Sequence, residues 1–321
     1  FNHFGEFFMK KKIFIDGEEG TTGLEIYKKL SVHPEIQILR IKQKDRKDPV
    51  VRQNLMELSD LTFLCLPDEA SKQAVNIAKK AGANCPIIID SSSAHRVSKD
   101  WLYGLPELSK KNNFLNAKKI SVPGCYASGA TVLINPLIKN SIVSKNSTFI
   151  INGISGYSGG GKKLINHFKN KNSEPFFYYG LNLNHKHLPE IKYHNKLKKT
   201  PIFLPSVANF YKGMIVSLPI HFELLNNNFK FKDVENAIRD QYANCKFVKI
   251  KSCNNSISNQ GFFRPDKVIN TNNLHINIFV NEKNNQMVLS SNFDNLGKGA
   301  SSAAIQCMNL VFGFSEDLSL N

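Results

Sequence analysis

Lys12-Ile13-Phe14-Ile15-Asp16 runs directly into Gly17-Glu18-Glu19-Gly20-Thr21-Thr22-Gly23, after which Leu24, Ile26, Tyr27 and Leu30 fall on one helical face. A short apolar run, a glycine-punctuated turn and a helix start make the first half of a βαβ unit. Glycines permit a tight turn and close approach of backbone to phosphate, and a helix N-terminus adds unpaired N–H groups and the positive end of its dipole. The spacing is GxxGxxG rather than GxGxxG, so two readings stand: a dinucleotide site, or a sharp βα turn without a ligand. Placement in the first βα unit favours the former. Gly17, Gly20, Thr21, Thr22 and Gly23 are therefore candidate cofactor residues.

The rhythm continues outward from that turn. Residues 36–41 read as a second strand, 61–66 as a third, 69–81 as a helix and 85–90 as a fourth strand. Short apolar strands alternating with helices predict an α/β unit, a Rossmann-like parallel sheet covered on both faces. After Cys125 the strands lengthen and alternate, at 147–153, 213–224, 274–281 and 286–292, with a hairpin-like link at 281–285 and a helix over 233–244. This half predicts an α+β layer with a mixed or antiparallel sheet. Residues 299–313 predict a closing helix ended at Gly313, and the Asn-rich 252–259 reads as a loop. The expected organisation is 9–124 plus the helix 299–315 as a dinucleotide-binding domain, and 125–298 as a catalytic and oligomerisation domain. Residues 1–8 read as an extension before Met9.

Composition narrows the class. The chain of 321 residues is 41% hydrophobic and 21% charged, which is ordinary for a globular protein. Its six cysteines are scattered with no CxxC pair, so a reduced, cytoplasmic protein is expected. No apolar run reaches membrane-span length, and the first residues lack a secretory pattern. The formal net charge of +16 comes from dispersed lysines, with no basic helix or aromatic-interleaved stripe. A basic solvated surface is the reading, without nucleic acid or membrane as partner, and with some attraction for phosphorylated ligands.

The region after the second strand bears on which dinucleotide binds. A ribose 2′-hydroxyl is normally held by an acid near the end of that strand. Here Gln37-Ile38-Leu39-Arg40-Ile41-Lys42-Gln43-Lys44 holds no acid and three cations. A 2′-phosphate suits it, so NADP is expected with Arg40 as a contact; the alternative is that these cations face water.

Ser121-Val122-Pro123-Gly124-Cys125-Tyr126-Ala127-Ser128-Gly129-Ala130 puts a cysteine at a helix start, with Val132, Leu133, Ile134, Leu137 and Ile138 at helical spacing. The helix start favours thiolate, the nucleophilic form. A small buried residue packed under the turn is the other reading.

Taken together with Asp90-Ser91-Ser92-Ser93-Ala94-His95-Arg96, His185-Lys186-His187-Leu188-Pro189-Glu190-Ile191 and Pro205-Ser206-Val207-Ala208-Asn209-Phe210-Tyr211-Lys212-Gly213-Met214, these motifs occur in one order. Over residues 9–315 the chain resembles the N-acetyl-gamma-glutamyl-phosphate reductase family in its shorter bacterial form. More loosely it resembles aspartate-semialdehyde dehydrogenase, in a superfamily that shares chemistry with glyceraldehyde-3-phosphate dehydrogenase.

The resemblance implies the third step of arginine biosynthesis: NADPH-dependent reduction of N-acetyl-L-glutamyl 5-phosphate to the 5-semialdehyde with release of phosphate. Cys125 is then the nucleophile that forms a thioester. The family motif points to His187 as acid/base, with His185 second and at the substrate. Lys186 stands where relatives often carry Arg. Glu190 is a candidate substrate or orienting residue. Arg96 is the first candidate phosphate contact. Ser91 joins the cofactor set, although serines there also cap backbone. The loop Gly153–Lys162, with Ser155, is placed near substrate and nicotinamide; Asn295, Gly297 and Lys298 are cofactor candidates by carry-over. His185 and His187 also fit an i, i+2 metal pair, but with no third ligand nearby no metal is expected. The resemblance and the long alternating strands together imply a homodimer or homotetramer. The competing functions are aspartate-semialdehyde dehydrogenase and a non-catalytic NADP-binding sensor.

Overall fold

In the computed structural model, which describes residues 9–170, 173–226, 228–251 and 262–320, the opening apolar run is β1 (Lys11–Asp16) and the glycine turn leads into α1 (Thr21–Leu30). The extension 1–8 and the Asn-rich loop 252–259 lie outside the described residues. β2 (Ile36–Leu39), α2 (Pro49–Glu57), β3 (Leu61–Leu64), α3 (Asp68–Lys79) and β4 (Ile87–Asp90) follow, then β5 (Leu102–Tyr103), α4 (Asn112–Leu115) and β6 (Lys119–Ser121). The strands form one sheet in the order β2-β1-β3-β4-β6-β5, and every pairing in it is parallel.

The alternation within β1 explains how this sheet is covered. Ile13 and Ile15 join one apolar cluster with Ile26 and Leu30 of α1, and Phe14 joins another with Met56 of α2 and Val75 of α3. Ile13, Phe14 and Ile15 are all buried, as a parallel strand between two helical layers requires. The first cluster also takes Ala303, Ala304, Ile305 and Met308 from α9 (Ser302–Val311), which thus packs on the first sheet. The expected helix over 299–313 begins instead with a π-helical turn, Gly297–Ser301.

The second sheet is built from β7 (Ile150–Gly156), β8 (Phe176–Tyr178), β9 (Ile202–Ala208), β10 (Met214–His221), β11 (Val248–Lys251), β12 (Leu274–Asn281) and β13 (Gln286–Phe293). Its order is β11-β12-β13-β10-β7-β9-β8. β7 runs parallel to β9 and β11 to β12, while the other pairings are antiparallel, so the sheet is mixed. One face, with Val216, Leu218, Ile276 and Leu289, packs against α5 (Cys125–Lys139) and α8 (Phe231–Tyr242). α6 (Gly161–Phe168) and α7 (Leu188–His194) complete the order. β9 carries Pro205, which cannot donate to a ladder and masks the strand in the sequence; its carbonyl still accepts from Tyr179 N–H at 3.1 Å.

Candidate active site

β6 ends at Ser121, and Val122-Pro123-Gly124 turns the chain so that Cys125 is the first residue of α5, with Gly124 as its N-cap. Val122 N–H donates to Asp90 O at 2.7 Å, and Gly124 N–H donates to Glu190 Oε1 at 2.9 Å. Both bonds fix the approach to the helix. The expectation that a helix start alone favours thiolate needs correcting. Burial pushes the Cys125 thiol up, outweighing the opposing pull of the Tyr126 amide, Arg96 and Lys186, and Glu190 adds to the rise. Cys65, which lines the same cleft, is pushed up to about 12, mainly by burial.

Arg96 is aimed by a scaffold that starts at Asp90. The Asp90 carboxylate accepts from Ser71 Oγ at 2.8 Å and from Ser92 Oγ at 2.7 Å, and meets His95 Nδ1 at 2.6 Å. His95 stacks on Trp101, with ring centroids 4.1 Å apart. On this platform Arg96 donates from Nε to Val122 O at 2.9 Å, from Nη1 to Glu190 Oε2 at 3.3 Å and from Nη2 to Ser91 O at 3.1 Å. Each terminal nitrogen keeps a second N–H for a ligand.

The two histidines divide their nitrogens differently. His185 Nδ1 accepts the backbone N–H of His187 at 3.1 Å, and its Nε2 meets Tyr179 Oη at 3.3 Å. Both ring nitrogens of His185 are thus engaged, and the neutral ring carries its hydrogen on Nε2. Burial and Lys186 lower His185 to about 4. His187 Nδ1 is buried with no hydrogen-bond partner. Its Nε2 and Arg96 Nη1 lie so close to Gly124 that a Cβ there would overlap both. Burial, then Arg96, His185 and Lys186, holds His187 well below its usual range.

Glu190 departs from the role expected of it. It is 1% exposed and does not line the cleft. Oε1 accepts from Tyr103 Oη at 2.7 Å as well as from Gly124, and Oε2 accepts from Arg96. Its carboxylate thus meets the cysteine turn, Tyr103 and Arg96, and does not open onto the cleft.

A cleft of about 550 Å³ collects these groups: Arg96, Gly124, Cys125, Lys186 and both histidines line it, with Ser91 and Ser155. Gly20, Thr21 and Thr22 line it from the first glycine turn. Gly17 (φ +92°) does not face the cleft; a Cβ there would collide with Cys65 O, so it builds the turn, as Gly23 does against Gly17 O. Gly20 caps α1 without any side-chain cap, which leaves the first-turn amides available for an anion. The second glycine-rich loop faces the first: Thr21 Oγ1 lies 3.8 Å from where a Cβ on Gly161 would be. Asn295 lines the cleft while its Nδ2 donates to Ser158 Oγ at 2.9 Å and its Oδ1 accepts from Gly213 N–H at 2.9 Å.

Besides Gly17 and Gly23, three expected cofactor residues are not brought to the cleft. Lys298 is wholly buried and donates to Glu107 Oε1 and Gln306 Oε1, both at 2.6 Å, because a buried ammonium must find a carboxylate. Gly297 turns away with it, packed on Thr271 O and Asp294. Arg40 lies outside the cleft lining, donating to Glu18 Oε1 at 2.7 Å and covering Tyr27. Beside it Arg46 pairs with Glu19. Conversely, Tyr103, Tyr179 and Lys186 matter more than the sequence indicated. Only the aromatic run Phe176-Phe177-Tyr178-Tyr179 carried a signal for Tyr179. Among the described residues no three His, Cys, Asp or Glu converge as a metal site, and no helix is long and apolar enough to cross a membrane.

Residues 12–115 match the family model described as "Semialdehyde dehydrogenase, NAD binding domain" and residues 125–295 match "Semialdehyde dehydrogenase, dimerisation domain". An N-acetyl-gamma-glutamyl-phosphate reductase of Trichormus variabilis is 38% identical over 97% of this chain and 99% of its own length. Another from Brucella ovis is 38% identical over 95% of this chain and 100% of its own. Among solved structures, aspartate semialdehyde dehydrogenase II of Vibrio cholerae superposes with a TM-score of 0.69 at 12% identity, covering 95% of this chain and 99% of that one. At that identity the likeness concerns the fold alone.

Proposed function

The chain belongs to the N-acetyl-gamma-glutamyl-phosphate reductase family of semialdehyde dehydrogenases, and on that footing we propose that it reduces N-acetyl-L-glutamyl 5-phosphate to N-acetyl-L-glutamate 5-semialdehyde with release of phosphate. The observation that carries the reading is the convergence on Gly124: Cys125 follows it, and His187 Nε2 and Arg96 Nη1 press against it. Nucleophile, base and cation thus share one turn.

The residues divide the work as follows. His187, neutral at working pH, accepts the Cys125 proton, and the sulfur attacks the acyl carbon. The C–S bond forms as the C–O bond to phosphate breaks. The free N–H groups of Arg96 and the ammonium of Lys186 hold the departing phosphate oxygens. A nicotinamide cofactor, when bound, supplies the hydride that takes the thioester to the aldehyde level. His187, now protonated and a strong acid because burial disfavours its charge, returns a proton as the C–S bond breaks and the thiol re-forms. His185 holds the backbone of His187 and closes the substrate side with Tyr179. Ser155 lines the same cleft, its hydroxyl donating to Gly156 O at 2.9 Å.

The cofactor set on this reading is the first-turn amides of α1 with Gly20, Thr21 and Thr22, along with Ser91 and Asn295. Their fit rests on the uncapped helix start and on the tight turn at Gly17. NADP is the proposed form: Arg40 directly follows β2 and Arg46 follows the short turn beyond it, and a 2′-phosphate would take the place of Glu18 and Glu19, which pair with them. Residues 9–124 with 299–315 form the main cofactor domain and lend Arg96 to the substrate, while 125–298 carry Cys125, His187 and the subunit contacts and lend Asn295 to the cofactor. The outer face of the second sheet supports a homo-oligomer, since Ile150 and Ile202 are 45% and 41% exposed there. Free thiols at Cys65, Cys85, Cys125, Cys245 and Cys307 suit a reducing compartment such as the cytoplasm.

The deciding experiment is phosphate-dependent NADP reduction with N-acetylglutamate semialdehyde, run beside aspartate semialdehyde. Preference for the first substrate is expected. Preference for the second would transfer the assignment to aspartate-semialdehyde dehydrogenase, and inactivity with both, given intact NADP binding, would favour a sensor.

A further inference from the structure

Asn209-Phe210-Tyr211-Lys212-Gly213 joins β9 to β10, and the proposed chemistry gives this stretch no part. Its carbonyls carry the second glycine-rich loop. Gly156 N–H donates to Gly213 O at 2.9 Å, Tyr157 N–H to Phe210 O at 2.9 Å and Ser158 N–H to Tyr211 O at 3.2 Å. A Cβ on Gly156 would collide with Tyr211 O, so the two stretches lie in direct backbone contact. Asn295 ties them again, accepting from Gly213 N–H and donating to Ser158 Oγ. Three backbone bonds and a bridging amide make one rigid piece of both.

Lys212 reaches from this piece to the first domain. Its Nζ donates to Glu25 Oε2 on α1 at 3.4 Å and to Asn270 Oδ1 at 3.3 Å. The other Glu25 oxygen takes Lys28, from the same helix, at 3.3 Å. The Lys212 and Glu25 side chains are only 16% and 17% exposed, so their attraction is screened less than that of a surface pair. Glu25 sits one turn beyond Thr21 and Thr22, which line the cleft on one side; Gly159, Gly160 and Gly161 of the second loop line it on the other. Neither Glu25 nor Lys212 lines the cleft.

We propose that Lys212 is a positioning residue: its bond to Glu25 fixes the gap between the two glycine turns, and with it the affinity for the dinucleotide held between them. A cleft whose walls are already joined has less to order when the cofactor enters, and that saving appears as affinity. The inference rests on the cofactor reading given above.

The test titrates NADPH by fluorescence into the wild type, Lys212→Met, Lys212→Arg, Glu25→Gln and the double variant Lys212→Met/Glu25→Gln. Amide exchange of residues 156–161 is followed in the same proteins without cofactor. Lys212→Met and Glu25→Gln should each weaken NADPH by about fivefold or more, the low end of coupling between sites. The double variant should be no weaker than either single one, because one bond is lost in all three. Loss of a cation and loss of an anion then act in the same direction, which attraction of the cofactor's phosphates would not produce. Lys212→Arg should keep the wild-type affinity. Exchange at 156–161 should quicken in the Met and Gln variants and not in the Arg variant. A lowered Tm with NADPH affinity and exchange both unchanged would leave the pair a structural contact and overturn the proposal. Opposite effects of the two single variants on affinity would overturn it equally. Faster exchange in Lys212→Met, in a protein whose wild type binds neither NADPH nor NADH, would uphold the link between the loops and overturn the cofactor reading instead.

Discussion

The carboxylate of Glu190 accepts the backbone N–H of Gly124 at 2.9 Å, so a fully buried acid on α7 holds the residue immediately before the nucleophile. Its other oxygen holds Arg96 at 3.3 Å. Glu190→Gln keeps the shape but turns an amide N–H toward Arg96 Nη1, donor against donor. Turnover should fall by up to about 10²-fold, the scale of small misplacements in an active site. Cofactor affinity, titrated by fluorescence, should hold. Turnover equal to wild type would show that the carboxylate contributes packing only.

Cys125→Ser should abolish phosphate-dependent NADPH formation while leaving fold and NADP binding in place. A hydroxyl lacks the nucleophilicity of a thiolate at neutral pH, burial raises its cost of ionisation further, and an oxygen ester is a poorer hydride acceptor than a thioester. Activity within about tenfold of wild type would remove Cys125 from the chemistry.

His187→Ala should lower turnover by about 10²–10⁴-fold, the usual weight of an acid/base group. His185→Ala should cost less in turnover and more in KM, because both nitrogens of His185 are already committed to Tyr179 and to the His187 backbone. Steady-state kinetics of the two variants separate these roles. The reverse ranking would make His185 the acid/base.

NADP should bind more tightly than NAD, and Arg40→Ala should narrow the difference by about tenfold, the worth of one charge-assisted contact. Equilibrium titration of both cofactors checks this. Equal affinities in the wild type would mean that Arg40 serves only its pair with Glu18.

The protein should run as a dimer or tetramer in light scattering at micromolar concentration, joined through the second sheet. Ile150→Asp/Ile202→Asp should shift it toward monomer, since two charges would enter a face whose apolar residues need cover. A wild-type monomer near the chain mass of 36.2 kDa would exclude the arrangement.

Much of this molecule was legible along the chain because the signals are local. The β1–turn–α1 unit follows from an apolar run, glycine spacing and one helical face within residues 12–30, and the hairpin strands at 274–281 from simple alternation. Cys125 at a helix start was equally local. β5, β6, β8, β9 and β11 were not legible: β5, β6, β8 and β11 are 2, 3, 3 and 4 residues long, too short for a period to show, and β9 contains Pro205. The sequence by itself thus determined the first βα unit, the alternation of short strands that marks a parallel sheet, the long strands of the second half and the residue that carries the sulfur. The tertiary structure alone decided which polar groups meet. Glu190 lies 66 residues from Gly124, and Lys298 lies 191 residues from Glu107. Backbone preferences act over a few neighbours, whereas a buried charge takes whichever partner the packing brings within reach. Lys298 therefore closed on Glu107 instead of a cofactor, and Glu190 closed on the cysteine turn instead of a substrate.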